Sequence, residues 1–159
     1  MSFDGEVHVV LVEPEIPHNT GAIGRLCVAT GATLHLVGRL GFHIDERSVR
    51  RAGLDYWQFI KIEQHASFEA FRERYDGPIH LYSARATKSY TEAPVPPRIA
   101  LVFGSETRGL PPTLLHGEHP AYRIPIYDER VRSLNLATAV GIVLYDVVRQ
   151  LDLRGSIES

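Results

Sequence analysis

The sequence predicts an α/β fold, an open and mostly parallel sheet with helices on both faces. Three observations carry that prediction. Short apolar runs alternate with helical patterns along the chain, the signature of a layered α/β domain. The first run, Val7–Val12, is rich in β-branched residues and suits a strand buried on both faces. The 159 residues are 44% hydrophobic and 23% charged, which fits one globular domain over 1–159 with a core of its own.

Taken in order, Val7–Val12 is the first strand. Asn19 or Thr20 can cap a helix that carries Ile23, Leu26, Cys27 and Thr30 on one side and ends at Gly31. Leu34–Val37 reads as a second strand, Arg47–Ala52 as a short helix and Phe59–Ile62 as a further strand. Ser67 is placed to cap a helix through Phe68, Phe71 and Tyr75. Ile79–Ser83 and Ile99–Phe103 are strands, separated by the proline-rich stretch Glu92–Pro97. Pro111 sits at a first helical position and opens a short helix to Leu115. Arg123–Ile126 is a strand or extended loop, and Ser133 caps a last helix to about Leu151.

Composition excludes several classes. A net charge of −2 rules out a broadly basic nucleic-acid coat, though not a confined basic patch. The single cysteine, Cys27, excludes an internal disulfide and a multi-cysteine zinc site, and it suits a reducing compartment. Met1–Glu6 is polar and acidic, unlike a signal peptide. The tract Leu134–Val148 falls short of the ~20 apolar residues of a membrane span. The expectation is a cytoplasmic protein with no membrane segment. The eight histidines form no H-x-x-x-H or H-E-x-x-H pattern, so no metal is expected.

Three segments carry candidate chemistry. The turn after the first strand, Glu13-Pro-Glu-Ile-Pro-His-Asn-Thr-Gly-Ala-Ile-Gly24-Arg25, has only two glycines and lacks the G-x-G-x-x-G of a dinucleotide site. Asn19 and Thr20 lie near a helix N-terminus, where free N–H groups attract anions, and Arg25 follows one to two turns on. A plain helix cap with a solvated arginine explains the same residues. Phe103-Gly-Ser-Glu-Thr-Arg-Gly-Leu-Pro111 follows another buried strand, and Gly104 there allows close backbone approach to a ligand. An ordinary strand-to-helix turn is the competing reading. Ile124-Pro-Ile126 and Arg130-Val-Arg-Ser-Leu-Asn-Leu-Ala137 form the third segment, in which Asn135 needs a buried partner. Arg47, Arg50 and Arg51 make the densest basic cluster, with Lys88 and Arg132 further along. Solvated faces explain most such charge runs, and an RNA-backbone patch is the alternative reading.

Asn19-Thr-Gly21 with Arg25, Phe103-Gly-Ser-Glu-Thr-Arg-Gly-Leu110, and Ile124-Pro-Ile126 with Ser133-Leu-Asn135 together resemble the SPOUT superfamily of knotted methyltransferases. Val9-Val-Leu-Val-Glu-Pro-Glu-Ile-Pro17 and Arg50-Arg-Ala-Gly-Leu-Asp-Tyr56 are similar to its minimal TrmL/YibK group. The resemblance spans Val7 to Leu151. It differs at His18, often proline in close relatives, and at Ser83-Ala-Arg85, commonly Thr-Thr-Lys. It implies a C-terminal trefoil knot and S-adenosylmethionine held by Tyr82, Gly104, Ile124, Ser133 and Leu134. It further implies a homodimer packed through the first and last helices. The reaction it implies is methylation of the ribose 2′-oxygen of the wobble nucleotide, cytidine or modified uridine, in the tRNA anticodon loop. Arg25 and Asn19 are the expected catalytic residues; Arg47, Arg50, Arg51, Lys88 and Arg132 are the expected RNA contacts. A ribosomal RNA 2′-O-methyltransferase and a non-catalytic RNA-binding dimer of the same fold are the alternatives.

Overall fold

The structure is a computed structural model and describes residues 3–52 and 56–158. Residues 53–55, in the middle of the Arg50–Tyr56 signature, lie outside the described residues.

Seven strands form one sheet: β1 Glu6–Val12, β2 Thr33–Val37, β3 Ile62–His65, β4 Ile79–Tyr82, β5 Lys88–Ser89, β6 Arg98–Phe103 and β7 Ala121–Arg123. Their spatial order is β3-β2-β1-β6-β4-β7-β5, and every pairing is parallel. Among the described residues five α-helices accompany them: α1 Pro17–Thr30, α2 Arg47–Ala52, α3 Phe68–Arg74, α4 Pro112–Leu115 and α5 Leu136–Glu158.

Alternation along β1 shows how one strand serves two cores. Val7, Val9 and Leu11 join Ile23 and Cys27 of α1 and Val140, Leu144 and Leu151 of α5. Val10 and Val12 face the other way, onto Phe71 of α3, Tyr75 and Leu110. The apolar β1 run is therefore buried on both faces, as its composition predicts. Cys27 lies fully inside, and burial pushes its thiol up to about 12, so it is a packing group and not a nucleophile at neutral pH.

Several element boundaries differ from expectation, each for a local reason. Neither Asn19 nor Thr20 caps α1. The helix begins at Pro17, whose missing N–H costs nothing in a first turn, and both residues sit buried inside it. Its far end is Gly31, as expected, at φ 77. The apolar residue Phe59 is not in a strand; it closes a 3₁₀ turn, Trp57–Phe59, and β3 starts at Ile62. Pro111 is the N-cap of α4, one residue before its start. Ser133 does not cap α5. Asn135 does, its Oδ1 accepting from the Thr138 N–H at 3.2 Å. Arg123 ends β7, and residues 124–126 carry no regular secondary structure. Ser67 caps α3 as expected, accepting from the Ala70 N–H at 3.1 Å.

The chain order along the sheet places the site. β1 has β2 on one side and β6 on the other, so the connections after β1 and β6 leave the sheet at the point where the order reverses. Ligands of open parallel sheets bind at such a crevice, beyond the carboxyl ends of the strands.

Candidate active site

A cavity of about 730 Å³ opens at that crevice. Its walls come from the ends of three strands and the start of α5. Tyr82 ends β4, and Phe103 ends β6 with Gly104 following. Ile124 and Ile126 follow β7, and Ser133, Leu134 and Leu136 lead into α5. Tyr82 and Phe103 stack with ring centroids 5.0 Å apart and 15° between planes. Burial raises the Tyr82 phenol above its ordinary value, so it stays neutral.

One side of this cavity is apolar and flat; the other is a hydrogen-bonded polar tie. Glu106, from the loop after β6, reaches across to the start of α1. Its Oε1 accepts from the Glu15 N–H at 2.9 Å, and its Oε2 accepts from the Ile16 N–H at 2.7 Å and from Asn19 Nδ2 at 3.2 Å. The Asn19 Oδ1 accepts in turn from Asn135 Nδ2 at 3.2 Å. Asn135 is itself exposed but finds a buried partner in Asn19, and three distant segments are joined in one chain of side chains. Glu106 supplies the acceptors that no side chain of α1 itself provides at this helix start.

The loop's own shape rests on its glycines. A Cβ on Gly104 would lie 2.1 Å from the Gly109 carbonyl carbon and 2.2 Å from the Leu110 nitrogen. Gly109 takes φ 67, and its N–H donates to the Ser105 carbonyl at 3.0 Å. Gly104 lines the cavity, but what approaches it most closely is the loop's own backbone. Behind the loop, Thr107 Oγ1 donates to Glu15 at 2.7 Å and holds that carboxyl below its ordinary range. Arg108 lies 3.6 Å from Glu13, the only described non-glycine residue with positive φ (51°). Such a conformation is held only where neighbours fix it.

All five residues expected to hold a cofactor, Tyr82, Gly104, Ile124, Ser133 and Leu134, line this cavity, as do Asn19 and Arg132. Arg25 does not. It is exposed on α1, with its guanidinium 4.7 Å from the centroid of the Tyr56 ring. Arg47, Arg50 and Arg51 lie on α2, which packs against α1, and Lys88 is exposed on β5. Glu106 and Arg85, another lining residue, were not singled out as site residues from the sequence. Glu106 had one legible signal, an acid between two glycines directly after a buried strand.

The fold and this cavity define an α/β domain with a cavity at the strand ends and a polar tie at its mouth. The chain belongs to the SpoU rRNA methylase family, whose model matches residues 6–145. It is 42% identical over 155 residues to the tRNA (cytidine(34)-2′-O)-methyltransferase of Saccharophagus degradans, a match that covers 94% of this chain and 98% of that protein. A solved structure concerned with 2-OH methylation of C/U34 on tRNA superposes with a TM-score of 0.89 at 43% identity, covering 93% of this chain and 97% of the other. The AdoMet-bound rRNA methyltransferase of Sinorhizobium meliloti superposes with a TM-score of 0.83 at 29% identity, over 93% of this chain and 57% of that one.

Proposed function

We propose that residues 1–159 form one methyltransferase domain that uses S-adenosylmethionine to methylate the ribose 2′-oxygen of the wobble nucleotide, cytidine or modified uridine, in a tRNA anticodon loop. The observation that carries this reading is the cavity itself. Its size suits a nucleoside-sized ligand. Its stacked Tyr82–Phe103 pair and the aliphatic side chains of Ile124, Ile126 and Leu134 suit a flat adenine. S-adenosylmethionine, when bound, supplies an electrophilic methyl group. The knotted chain path that the family resemblance implies would be formed by the segments leading from β6 to α5. The match to a C34 enzyme at 42% over nearly its whole length, against 29% to a longer rRNA enzyme, favours tRNA over rRNA.

The chain's own residues then have separable tasks. Glu106 and Asn135 fix both ends of the Asn19 amide, so Asn19 presents a set orientation at the cavity mouth. The Arg25 guanidinium suits the alkoxide charge that develops on the acceptor oxygen. Its place on the outer side of α1 fits a homodimer in which Arg25 serves the cavity of the second copy. Ile142, Tyr145 and Leu153 form an exposed apolar stripe on α5 that such a dimer would cover. Arg132 stands at the mouth; Arg47, Arg50, Arg51 and Lys88 would hold phosphates further out.

The test is direct: purified protein, S-adenosylmethionine and unmodified tRNA, followed by nucleoside mapping. A single 2′-O-methyl group at the wobble position is the expected product. Methylation confined to ribosomal RNA, or cofactor binding with no transfer to any RNA, would replace this reading with one of its alternatives.

A further inference from the structure

Beneath α3, on the sheet face opposite α1 and α5, three adjacent strands each carry one buried histidine: His8 on β1, His35 on β2 and His65 on β3. None lines the cavity. They form a chain. His8 Nε2 lies 2.6 Å from Glu6 Oε1, His8 Nδ1 lies 2.8 Å from His35 Nε2, and His35 Nδ1 lies 2.9 Å from His65 Nε2. The ring centroids are 5.0 and 5.2 Å apart. Each separation exceeds its N···N distance by about the width of one ring, so the facing nitrogens point almost straight at each other. That is hydrogen-bond geometry.

Glu63 brings a carboxylate oxygen to 3.3 Å from His35 Nδ1, so His35, Glu63 and His65 also hold three donor atoms within 4.8 Å of one another. A shared zinc ion would need the ring lone pairs to converge on a third point at ~2.0–2.1 Å. The in-line His35–His65 pair does not converge; each ring faces the other.

With all three rings neutral, proton counting fixes the direction of the chain. The Glu6 carboxylate only accepts, so His8 donates from Nε2 and its Nδ1 must accept. His35 then donates from Nε2 and accepts at Nδ1, where His65 donates from Nε2. All three rings are neutral Nε2–H tautomers pointing one way. One extra proton fits on the outer nitrogen of His65. A second forces two protons into one N···N junction and breaks it. We propose that His8, His35 and His65 form a proton-operated latch, which ties β2 and β3 to β1 while neutral and releases them when two or more protons are taken up.

The surroundings keep other groups silent. Phe71 and Tyr75 cover the rings, and the Tyr75 hydroxyl, which donates to the Pro78 carbonyl, is pushed up to about 12 by burial. Arg98 pairs with Glu6 and Asp76, and Glu6 is held low, first by its bond to His8. Burial drives His35 down to about 3 and lowers His65, with Glu63 opposing and Arg74 adding to the latter. Histidines of an open chain titrate near ~6.5. Stability from the latch is therefore fully present above that pH and is lost as pH falls below it. With at least two protons taken up on opening, the opening constant rises about a hundredfold per pH unit between about pH 5.5 and 4.5.

The experiment has two parts. Long-range ¹⁵N NMR of the full chain at pH 7.5 should find all three rings as Nε2–H tautomers. Hydrogen exchange of residues 33–37 and 62–65, corrected for intrinsic rates and referenced to β6, should then rise about a hundredfold per pH unit in that window. His35→Gln, which cannot titrate, should reduce this to tenfold or less. An Nδ1–H tautomer at His35, pH-independent protection, or zinc titrated into the protein displacing the His65 Nε2 proton would each overturn the latch. Should the variant fail to fold, the wild-type tautomers and exchange profile decide alone.

Discussion

Replacing Glu106 with glutamine isolates the polar tie at the cavity mouth. Glu106 accepts three hydrogen bonds, from the Glu15 and Ile16 N–H groups and from Asn19 Nδ2. Glutamine keeps one oxygen. Placed at the Oε2 position, it retains Ile16 and Asn19, but its NH₂ then faces the Glu15 N–H, donor against donor. The alternative flip loses two bonds instead of one. Hydrogen bonds to charged groups contribute about 1.5–3 kcal/mol each, and part of this site faces solvent, so Glu106→Gln should cost about 2 kcal/mol. Glu106→Ala loses all three bonds and should cost more, about 3–4 kcal/mol, with water recovering part of the loss at the exposed amides. Urea denaturation reads this as a lower midpoint at constant slope. Methyl transfer should fall as well, since the Asn19 amide is no longer fixed at both ends. A glutamine variant within about 0.5 kcal/mol of wild type, near the floor for ordinary surface substitutions, would refute the idea that this carboxylate joins the loop to α1.

Three further outcomes follow from the same geometry. Gly104→Ala puts a methyl group 2.1 Å from backbone that cannot swing aside, so calorimetry should find cofactor binding lost together with a lower melting temperature; a wild-type melting temperature would show that the loop is looser than it looks. Arg25→Ala should cut single-turnover methyl transfer by about 10²-fold or more with cofactor affinity unchanged. Mixed dimers pairing Arg25→Ala with a Gly104 variant should regain activity if Arg25 serves the partner's cavity, and their failure to do so would place Arg25 in its own. Replacing Arg50 and Arg51 with alanine should raise the tRNA KM and flatten the salt dependence of binding. The log–log slope should shrink by about 0.7 for each single-strand phosphate that the arginines neutralise; an unchanged slope would assign α2 to solvent.

How much was legible depended on the range of the interaction. β1, β2, β4 and β6 were readable because buried parallel strands are marked by their own apolar side chains. β3 was misplaced because an edge strand reading Ile-Glu-Gln-His carries little apolar signal, while the nearby Phe59 is apolar yet 62% exposed. β5 has two residues and no pattern of its own. The caps failed where two candidates competed. Pro17 overrode Asn19 and Thr20, and Asn135 was chosen over Ser133, both rules being local but not mutually exclusive. The five residues expected to hold a cofactor came from motif resemblance, and the structure brings them together around one cavity. The Asn19–Glu106–Asn135 tie was out of reach, since Asn19 lies 87 residues from Glu106 and 116 from Asn135. The histidine chain was equally hidden, because each strand contributes a single histidine and no spacing along the sequence announces the set.

The most direct measurement compares two anticodon stem-loops that differ only at the wobble sugar, one with ribose and one with 2′-deoxyribose. Both should bind with similar affinity, because the proposed arginine and lysine contacts are to phosphates, which the two substrates share, and a loop nucleotide can be splayed into a pocket. Only the ribose substrate should accept a methyl group from S-adenosylmethionine. Equal methylation of the deoxy substrate would move the acceptor to a base or to another nucleotide, and the wobble 2′-oxygen would no longer be the site of transfer.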